Sequence, residues 1–316
     1  MTGAAGFIGS SIAAELLDQG EEVIGVDSFT DYYEASLKEA NVARLESDSF
    51  HLVRADLNEV DLASLLDGTD VVFHQAGQPG VRKSWGRDFV DYTDANIRAT
   101  QALLEAAKEV GNVGRIVYAS SSSVYGDAER YPTRVDDVPR PVSPYGVTKL
   151  AAEHLCSLYA KNFEVPTVSL RYFTVYGPRQ RPDMAFTRFI KAALVGDQIT
   201  IYGNGEQVRD FTYIDDIVAA NLAAATADVA PGRVFNVAGG SNASVNEVLS
   251  IIESGVVRPI DVSYQTSVPG DVLKTGGEVE DTIRDLGWQP RISLRDGLSR
   301  HIDWATELLA PSTIGN

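Results

Sequence analysis

The segment Thr2-Gly3-Ala4-Ala5-Gly6-Phe7-Ile8-Gly9 runs directly into Ile12, Leu16 and Leu17, apolar residues at helical spacing, so its glycines stand where a turn hands the chain to a helix. Glycines there let the backbone turn tightly and approach a pyrophosphate, whose charge sits well at a helix N-terminus. Plain tight turns use small residues too, and the sequence beyond the helix is what separates the two cases. After Gly20 ends the helix, Glu22-Val23-Ile24-Gly25-Val26 has the pattern of a short strand and closes on Asp27. An acidic side chain roughly 20 residues past the glycines is placed to grip a ribose diol. It also discriminates, because a 2′-phosphate beside the Asp27 carboxylate would be repelled by about 4 kcal/mol for unit charges about 4 Å apart at an effective dielectric of about 20. Ser28-Phe29-Thr30-Asp31 supplies no arginine to offset that, so the expected cofactor is NAD rather than NADP.

A dinucleotide fold needs a buried strand of about five apolar residues before its first glycine. Here only Met1 and Thr2 precede it. Either residues upstream complete that strand in the biological protein, or the first and central strand is much shortened. A secretory signal does not fit this start: it lacks a basic segment, and Glu15, Asp18, Glu21 and Glu22 follow at once.

Composition narrows the function classes. A chain of 316 residues buries a full core as one large or two coupled domains, and 44% hydrophobic with 22% charged residues is ordinary for a globular protein. The net charge of −17 argues against nucleic-acid and anionic-membrane partners. No run approaches the roughly 18 apolar residues of a membrane span. The single cysteine, Cys156, has no internal disulfide partner and sits in a helical pattern as core filling, which suits a cytoplasmic location. Four histidines without ligand-like spacing and one cysteine predict no metal site.

Strand and helix patterns alternate through the first half, as in a doubly wound, mostly parallel α/β sheet. Strands are expected at His51–Arg54, Val71–His74 and Arg115–Ala119, a long helix at Tyr92–Val110, a second at Tyr145–Asn162, and a further strand at Pro166–Arg171. Beyond Gly177 the rhythm breaks at Pro178, Pro182 and the Gly203-Asn204-Gly205 turn, which predicts a smaller lobe. A helix at Ile214–Ala225 and a strand at Val234–Val237 are expected to return to the main sheet. The expected division is residues 1–176 plus about 206–239 for the cofactor domain, and about 177–205 plus 240–316 for a substrate-binding α/β lobe.

Tyr145-Gly146-Val147-Thr148-Lys149 sets a phenol and an ammonium one helical turn apart on one face. Such a pair means little alone, but it follows a strand running into Ala119-Ser120-Ser121-Ser122-Ser123, at the carboxyl edge of the sheet where open α/β folds bind ligands.

These features together resemble the extended short-chain dehydrogenase/reductase family, and within it the nucleotide-sugar 4-epimerases. The resemblance covers nearly the whole chain: the glycine triplet, Asp56-Leu57, His74-Gln75-Ala76-Gly77, Ser121 with Val124-Tyr125-Gly126, Tyr145 with Lys149, Arg171-Tyr172-Phe173, and Gln207-Val208-Arg209-Asp210-Phe211. It implies a Rossmann sheet holding NAD on Gly3, Gly6, Phe7, Ile8, Gly9, Asp27, Asp56, Leu57, Gln75, Ala76, Gly77, Asn96, Ser120, Tyr145, Lys149, Tyr172 and Val175. It makes Tyr145 the base that takes the proton of a sugar 4-hydroxyl, with Ser121 hydrogen-bonded to the same hydroxyl. Free tyrosine titrates near pH 10, so lowering it to neutrality takes up to about 4 kcal/mol, expected from Lys149 and the cofactor cation.

Three positions separate the activities of such relatives. Ser123 stands where dehydrating and decarboxylating members typically carry an acid, and Thr174 where neutral-sugar epimerases typically have asparagine. Gln78-Pro79-Gly80-Val81-Arg82 with Trp85, and Arg181-Pro182-Asp183-Met184-Ala185, are similar to stretches of UDP-glucuronate 4-epimerases. An acidic sugar oxidised at C4 becomes a β-keto acid that loses CO₂ unless its carboxylate is held out of line with the carbonyl. Ser122, Ser123 and Thr174 are short hydroxyl donors suited to hold it, with Arg181 adding charge. For the UDP end the resemblance points to Arg209, with Arg188, Asp271, Tyr202 and Arg82 in support. His74 and His154 are expected to be structural. A homodimer is implied, built on the helices Tyr92–Val110 and Tyr145–Asn162 with Leu103, Leu104, Leu155 and Leu158 as apolar contacts. Alternatives left open are a UDP-galactose 4-epimerase, a UDP-glucuronate decarboxylase, and an NAD-binding sensor without catalysis.

Overall fold

The computed structural model describes residues 1–266 and 272–310. Gly3 adopts φ +67°, and a Cβ there would lie 2.8 Å from the Ala76 nitrogen, while one on Gly9 would lie 2.0 Å from the Gly3 oxygen. Only glycine fits either place. The turn delivers α1 (Phe7–Asp18), then β1 (Val23–Asp27), α2 (Ala35–Ala43), β2 (Phe50–Arg54), α3 (Leu62–Leu66) and β3 (Val71–His74). Next come α4 (Phe89–Tyr92), a π-helical turn over 93–98, α5 (Ala99–Val110), β4 (Arg115–Ser121), α6 (Pro144–Phe163) and β5 (Thr167–Tyr172). The rest comprises β6 (Val175–Tyr176), α7 (Ala185–Val195), β7 (Ile199–Tyr202), β8 (Val208–Tyr213), α8 (Ile214–Thr226), β9 (Arg233–Val237), β10 (Ser241–Ser244), α9 (Val245–Val256), β11 (Val262–Gln265), α10 (Glu280–Leu286) and α11 (Leu294–Leu309).

The strands β3, β4, β5 and β9 pair in parallel, as do β1 and β2. Between the two groups Thr2 bridges to Val26 on one side and His74 on the other. Side chains reinforce this bridge. The Thr2 hydroxyl lies 2.8 Å from His74 Nδ1 and accepts from the Ala76 amide, while His74 Nε2 lies 2.9 Å from the Thr100 hydroxyl, which donates to the Asn96 carbonyl. A hydroxyl has one proton to give, so Thr100 must accept from His74, and His74 is the neutral Nε2–H tautomer accepting from Thr2 at Nδ1. Burial agrees, lowering the imidazole pKa to about 3. The expected structural role of His74 is thus specific: it fastens Thr2 to the helix beyond.

One sheet face packs under α1 and α8, with Phe7, Ile12, Val117, Leu170, Ile217 and Phe235 in its core, and this core continues into the second lobe through Ile190, Ile252 and Leu298. The other face packs under α3, α5 and α6 with Leu66, Leu103, Leu104, Ile116 and Cys156. Helix α8 and strand β9 return to the main sheet as expected. Outside the main sheet, β7 pairs with β11 in parallel, and β8 lies between β10 and β6.

Three expectations change. The predicted helix Tyr92–Val110 is interrupted by the π-helical turn, which carries Asn96. Leu103 and Leu104 are 1% and 0% exposed within the single chain, so they serve the sheet core and not a partner surface. His154 lies exposed on α6 rather than packed, because Cys156 and Ala152 take the sheet-facing side of that helix.

Candidate active site

A cleft opens over the carboxyl ends of the strands, at the point where chain order reverses around Thr2 and where open α/β folds take ligands. It is lined by Gly3, residues 6–9, Asp27, Asp56, Leu57, residues 75–77, Asn96, Ser120, Tyr145, Lys149 and Tyr172. Val175 is not among the lining residues; it is 7% exposed and packs into the core.

The residues present fit a dinucleotide. The α1 N-terminus opens on the side-chain-free Gly3–Gly9 turn, a cradle that added Cβ atoms would fill. Asp27 accepts from the Ala5 and Phe29 amides at 3.0 and 2.8 Å, and its carboxylate keeps lone pairs for hydroxyl donors. No arginine directly follows Asp27 in the sequence, but a lysine reaches it in the structure. Lys38, arriving from α2, lies 3.7 Å from the carboxylate and donates to the Thr30 carbonyl and hydroxyl.

The catalytic candidates share one edge of the cleft. Ser143 caps α6 by accepting from the Gly146 amide at 3.1 Å, with Pro144 in the first helical turn, which places Tyr145 at the start of the helix and Lys149 one turn on. Tyr145 is half-buried; desolvation raises its pKa, while a hydrogen bond with Ser121 and the charge of Arg181 lower it. Arg181 is a cation whose charge lowers the phenol, and burial lowers the pKa of Lys149 itself to about 8. Asn96 ties this edge together, accepting from the Gln78 amide at 2.7 Å and donating to the Thr148 hydroxyl at 2.9 Å.

The substrate candidates spread more widely. Ser121 caps the turn of 122–124 by accepting from the Ser123 amide at 3.2 Å, and Ser122, Ser123 and Thr174 are half-buried beside it in sequence or sheet order. Thr174 spends its carbonyl on the Thr212 amide. Arg181 lines the cleft, forked onto Asp183 at 3.0 and 2.9 Å and stacked 5.6 Å from the Tyr32 ring. Arg82 reaches across to the second lobe and lies 4.8 Å over the Tyr202 ring. Arg209 is half-buried on β8, donating to the Val208 carbonyl, and Arg188 is exposed on α7. Asp271 lies outside the described residues. Among the described residues no cluster of His, Cys, Asp or Glu side chains could hold a metal ion, and no helix is long and apolar enough to cross a membrane.

Residues 1–238 match the model of the NAD-dependent epimerase/dehydratase family. The chain belongs to that family. It is 37% identical to a UDP-glucuronate 4-epimerase of Thermodesulfobacterium geofontis (strain OPF15), over 97% of this chain and 95% of that one. It is 44% identical to the uncharacterized UDP-glucose epimerase YtcB of Bacillus subtilis (strain 168), over 98% of each. Among solved structures it resembles the Bacillus cereus UDP-glucuronic acid 4-epimerase in complex with UDP-glucuronic acid and NAD, with TM-score 0.94 and 44% identity over 97% of this chain and 98% of that one. The cofactor of this family is NAD, as the cradle and Asp27 suggest.

Tyr32, Tyr33 and Lys38 also line the family's cofactor cleft here and escaped the sequence analysis. The available signal was Asp31-Tyr32-Tyr33, an aromatic pair in a polar loop directly after the acidic end of β1. Tyr32 packs against Gly80, where a Cβ would meet its hydroxyl at 2.3 Å, so the loop folds back over the cleft.

Proposed function

We propose that this protein is a UDP-glucuronate 4-epimerase, interconverting UDP-glucuronate and UDP-galacturonate through a transient 4-keto sugar. One observation carries this: the Tyr145–Ser121 pair sits at the edge of the cofactor cleft with Arg181 beside it, and the adjoining short side chains are hydroxyls rather than acids. The Bacillus cereus relative in complex with UDP-glucuronic acid supports it.

Tyr145 takes the proton of the 4-hydroxyl, and Ser121, bonded to the phenol, orients that hydroxyl. The Gly3–Gly9 turn, Asp27 and Lys149 would hold NAD, which when bound would supply a hydride acceptor and donor for C4, with the keto sugar turning its other face to it in between. Tyr145 gives the proton back, so the net reaction is an isomerisation. Ser122, Ser123 and Thr174 hold the carboxylate, and no acid stands at position 123 to promote elimination or decarboxylation. Arg209, Arg82, Arg188, Tyr202 and Asp271 serve the UDP end. Residues 1–176 with about 206–239 form the cofactor domain, and the remainder the sugar-nucleotide lobe. The lone buried thiol of Cys156 suits the cytoplasm.

The name of the Bacillus subtilis relative favours a neutral sugar as the second reading. Incubation with UDP-glucuronate and with UDP-glucose, followed by separation of epimer from pentose, decides between them. Thr174→Ala sharpens the test. Removing one hydrogen bond to a charged group should cost about 1.5–3 kcal/mol, roughly 10- to 150-fold in uronate affinity, with little loss for UDP-glucose and a rise in pentose by-product. Equal losses for both sugars and unchanged by-product would leave Thr174 outside carboxylate binding.

A homodimer is proposed on the outer face of α6, where Val147, Leu158 and Phe163 are about half exposed. Light scattering at micromolar concentration should report twice the chain mass; a single monomer-sized species rules the dimer out.

A further inference from the structure

Lys149 is 6% exposed, yet among the described residues it makes no ion pair and donates no hydrogen bond. Its ammonium lies instead over the face of the Tyr118 ring, 4.5 Å from the centroid. Tyr118 stands on β4 and is 1% exposed, and its own hydroxyl is buried without a partner. What Tyr118 supplies here is therefore its ring.

We propose that the face of Tyr118 is the seat of the Lys149 ammonium, a positioning residue that holds the charge at the cleft while leaving all three of its N–H donors to a bound ligand. This rests on the proposed role of Lys149 toward the cofactor. A carboxylate in the same place would attract the ammonium more strongly, but it would occupy donors and neutralise the charge. An aromatic face attracts a cation through its quadrupole and takes no N–H group.

Of the groups around Lys149, the Tyr118 ring is the one in direct contact with its ammonium. On β3, His74 is the neutral tautomer and lies 5.6 Å from the Tyr118 ring, extending the aromatic bed. On α6, Tyr145 and Cys156 are pushed up by burial. Glu153, one turn beyond Lys149, favours the ammonium by its charge from a distance, but its oxygens already take the Arg171 fork and the Ser120 hydroxyl. Asn96 on the π-helical turn carries no charge. Burial lowers the ammonium to about 8, so a weaker seat would bring its loss of charge into the neutral range.

The test is a direct titration of Lys149 by ¹³C NMR of labelled lysine in the full chain without cofactor, its signal assigned by loss in Lys149→Met. Tyr118→Phe should leave the midpoint in place, because the hydroxyl has no partner. Phenylalanines of increasing fluorination at position 118 keep the shape and drain the negative face. They should lower the midpoint progressively, by roughly one pH unit at the end of the series. In the NAD-loaded protein the alkaline limb of kcat should move the same way. A midpoint that stays put across the fluorinated series overturns the seat, and because the series preserves packing this holds even where Tyr118→Leu does not fold. Turnover is read separately: if the midpoint shifts while Lys149→Met keeps full activity, the seat stands and the role of Lys149 toward the cofactor falls.

Discussion

Tyr145→Phe should lower kcat at least about 100-fold, the usual cost of a lost general base, while NAD and UDP-glucuronate still bind with nearly unchanged affinity. The ring survives the change, and with it the edge contact to Tyr92 at 6.3 Å between centroids, so the cleft wall is kept. Only the proton-carrying oxygen and its bond with Ser121 are lost. The structure makes the demand on that oxygen explicit. Burial raises its pKa above 10, and in the protein alone the cation that offsets this is Arg181. The remaining push must come from charges assembled when ligands bind. The wild-type rate should therefore rise with pH through the phenol of the ternary complex, and the residual rate of the Phe variant should lose that acid limb. Calorimetry for binding and steady-state kinetics for turnover give the two readouts; unchanged turnover would remove Tyr145 from the chemistry.

Glu153→Ala should destabilise the fold by about 3–5 kcal/mol, because it strands a buried arginine. Arg171 is held by Glu153 through Nε at 2.9 Å and Nη2 at 2.7 Å, and both side chains are almost fully buried, at 5% and 3% exposure. The network extends further. Glu153 accepts from the Ser120 hydroxyl at 2.6 Å, Arg171 donates to the Tyr125 hydroxyl at 2.7 Å, and Tyr125 donates to Asn236 on β9. One ion pair thus fastens α6 to three strands of the sheet beneath the site. Removing both charges together, as Glu153→Met with Arg171→Leu, should cost less than either single change, since no uncompensated charge is left behind. Urea unfolding of the two single variants and the double variant measures this; single-variant losses within about 0.5 kcal/mol of zero would show that the pair is solvated and not structural.

The elements legible in the sequence were those with local causes. The Gly3–Gly9 turn, the strands ending at Asp27, His74 and Ser121, and the helix bearing Tyr145 and Lys149 follow from glycine geometry and hydrophobic period. Each acts over one or two turns of chain, so the parallel sheet, the cofactor edge and the Tyr–Lys face could be written down without a fold. Contacts between distant segments could not. The sequence counts Leu103 and Leu104 as apolar on a helix but does not say which side of that helix the sheet covers, and the sheet covers theirs. It does not say that Lys38 reaches Asp27 from the following helix, that Tyr32 folds back toward Arg181, or that Asn96 sits in a π-helical turn joined to Thr148. Nor does it say how Thr2 is held: Thr2, His74 and Thr100 are far apart in the chain and meet only because the sheet places β3 beside Thr2. Local backbone preference and period are written residue by residue, so the sequence determined the fold class and the helical face shared by Tyr145 and Lys149. The charges and rings around that face come from long-range packing, and only the tertiary structure decided them.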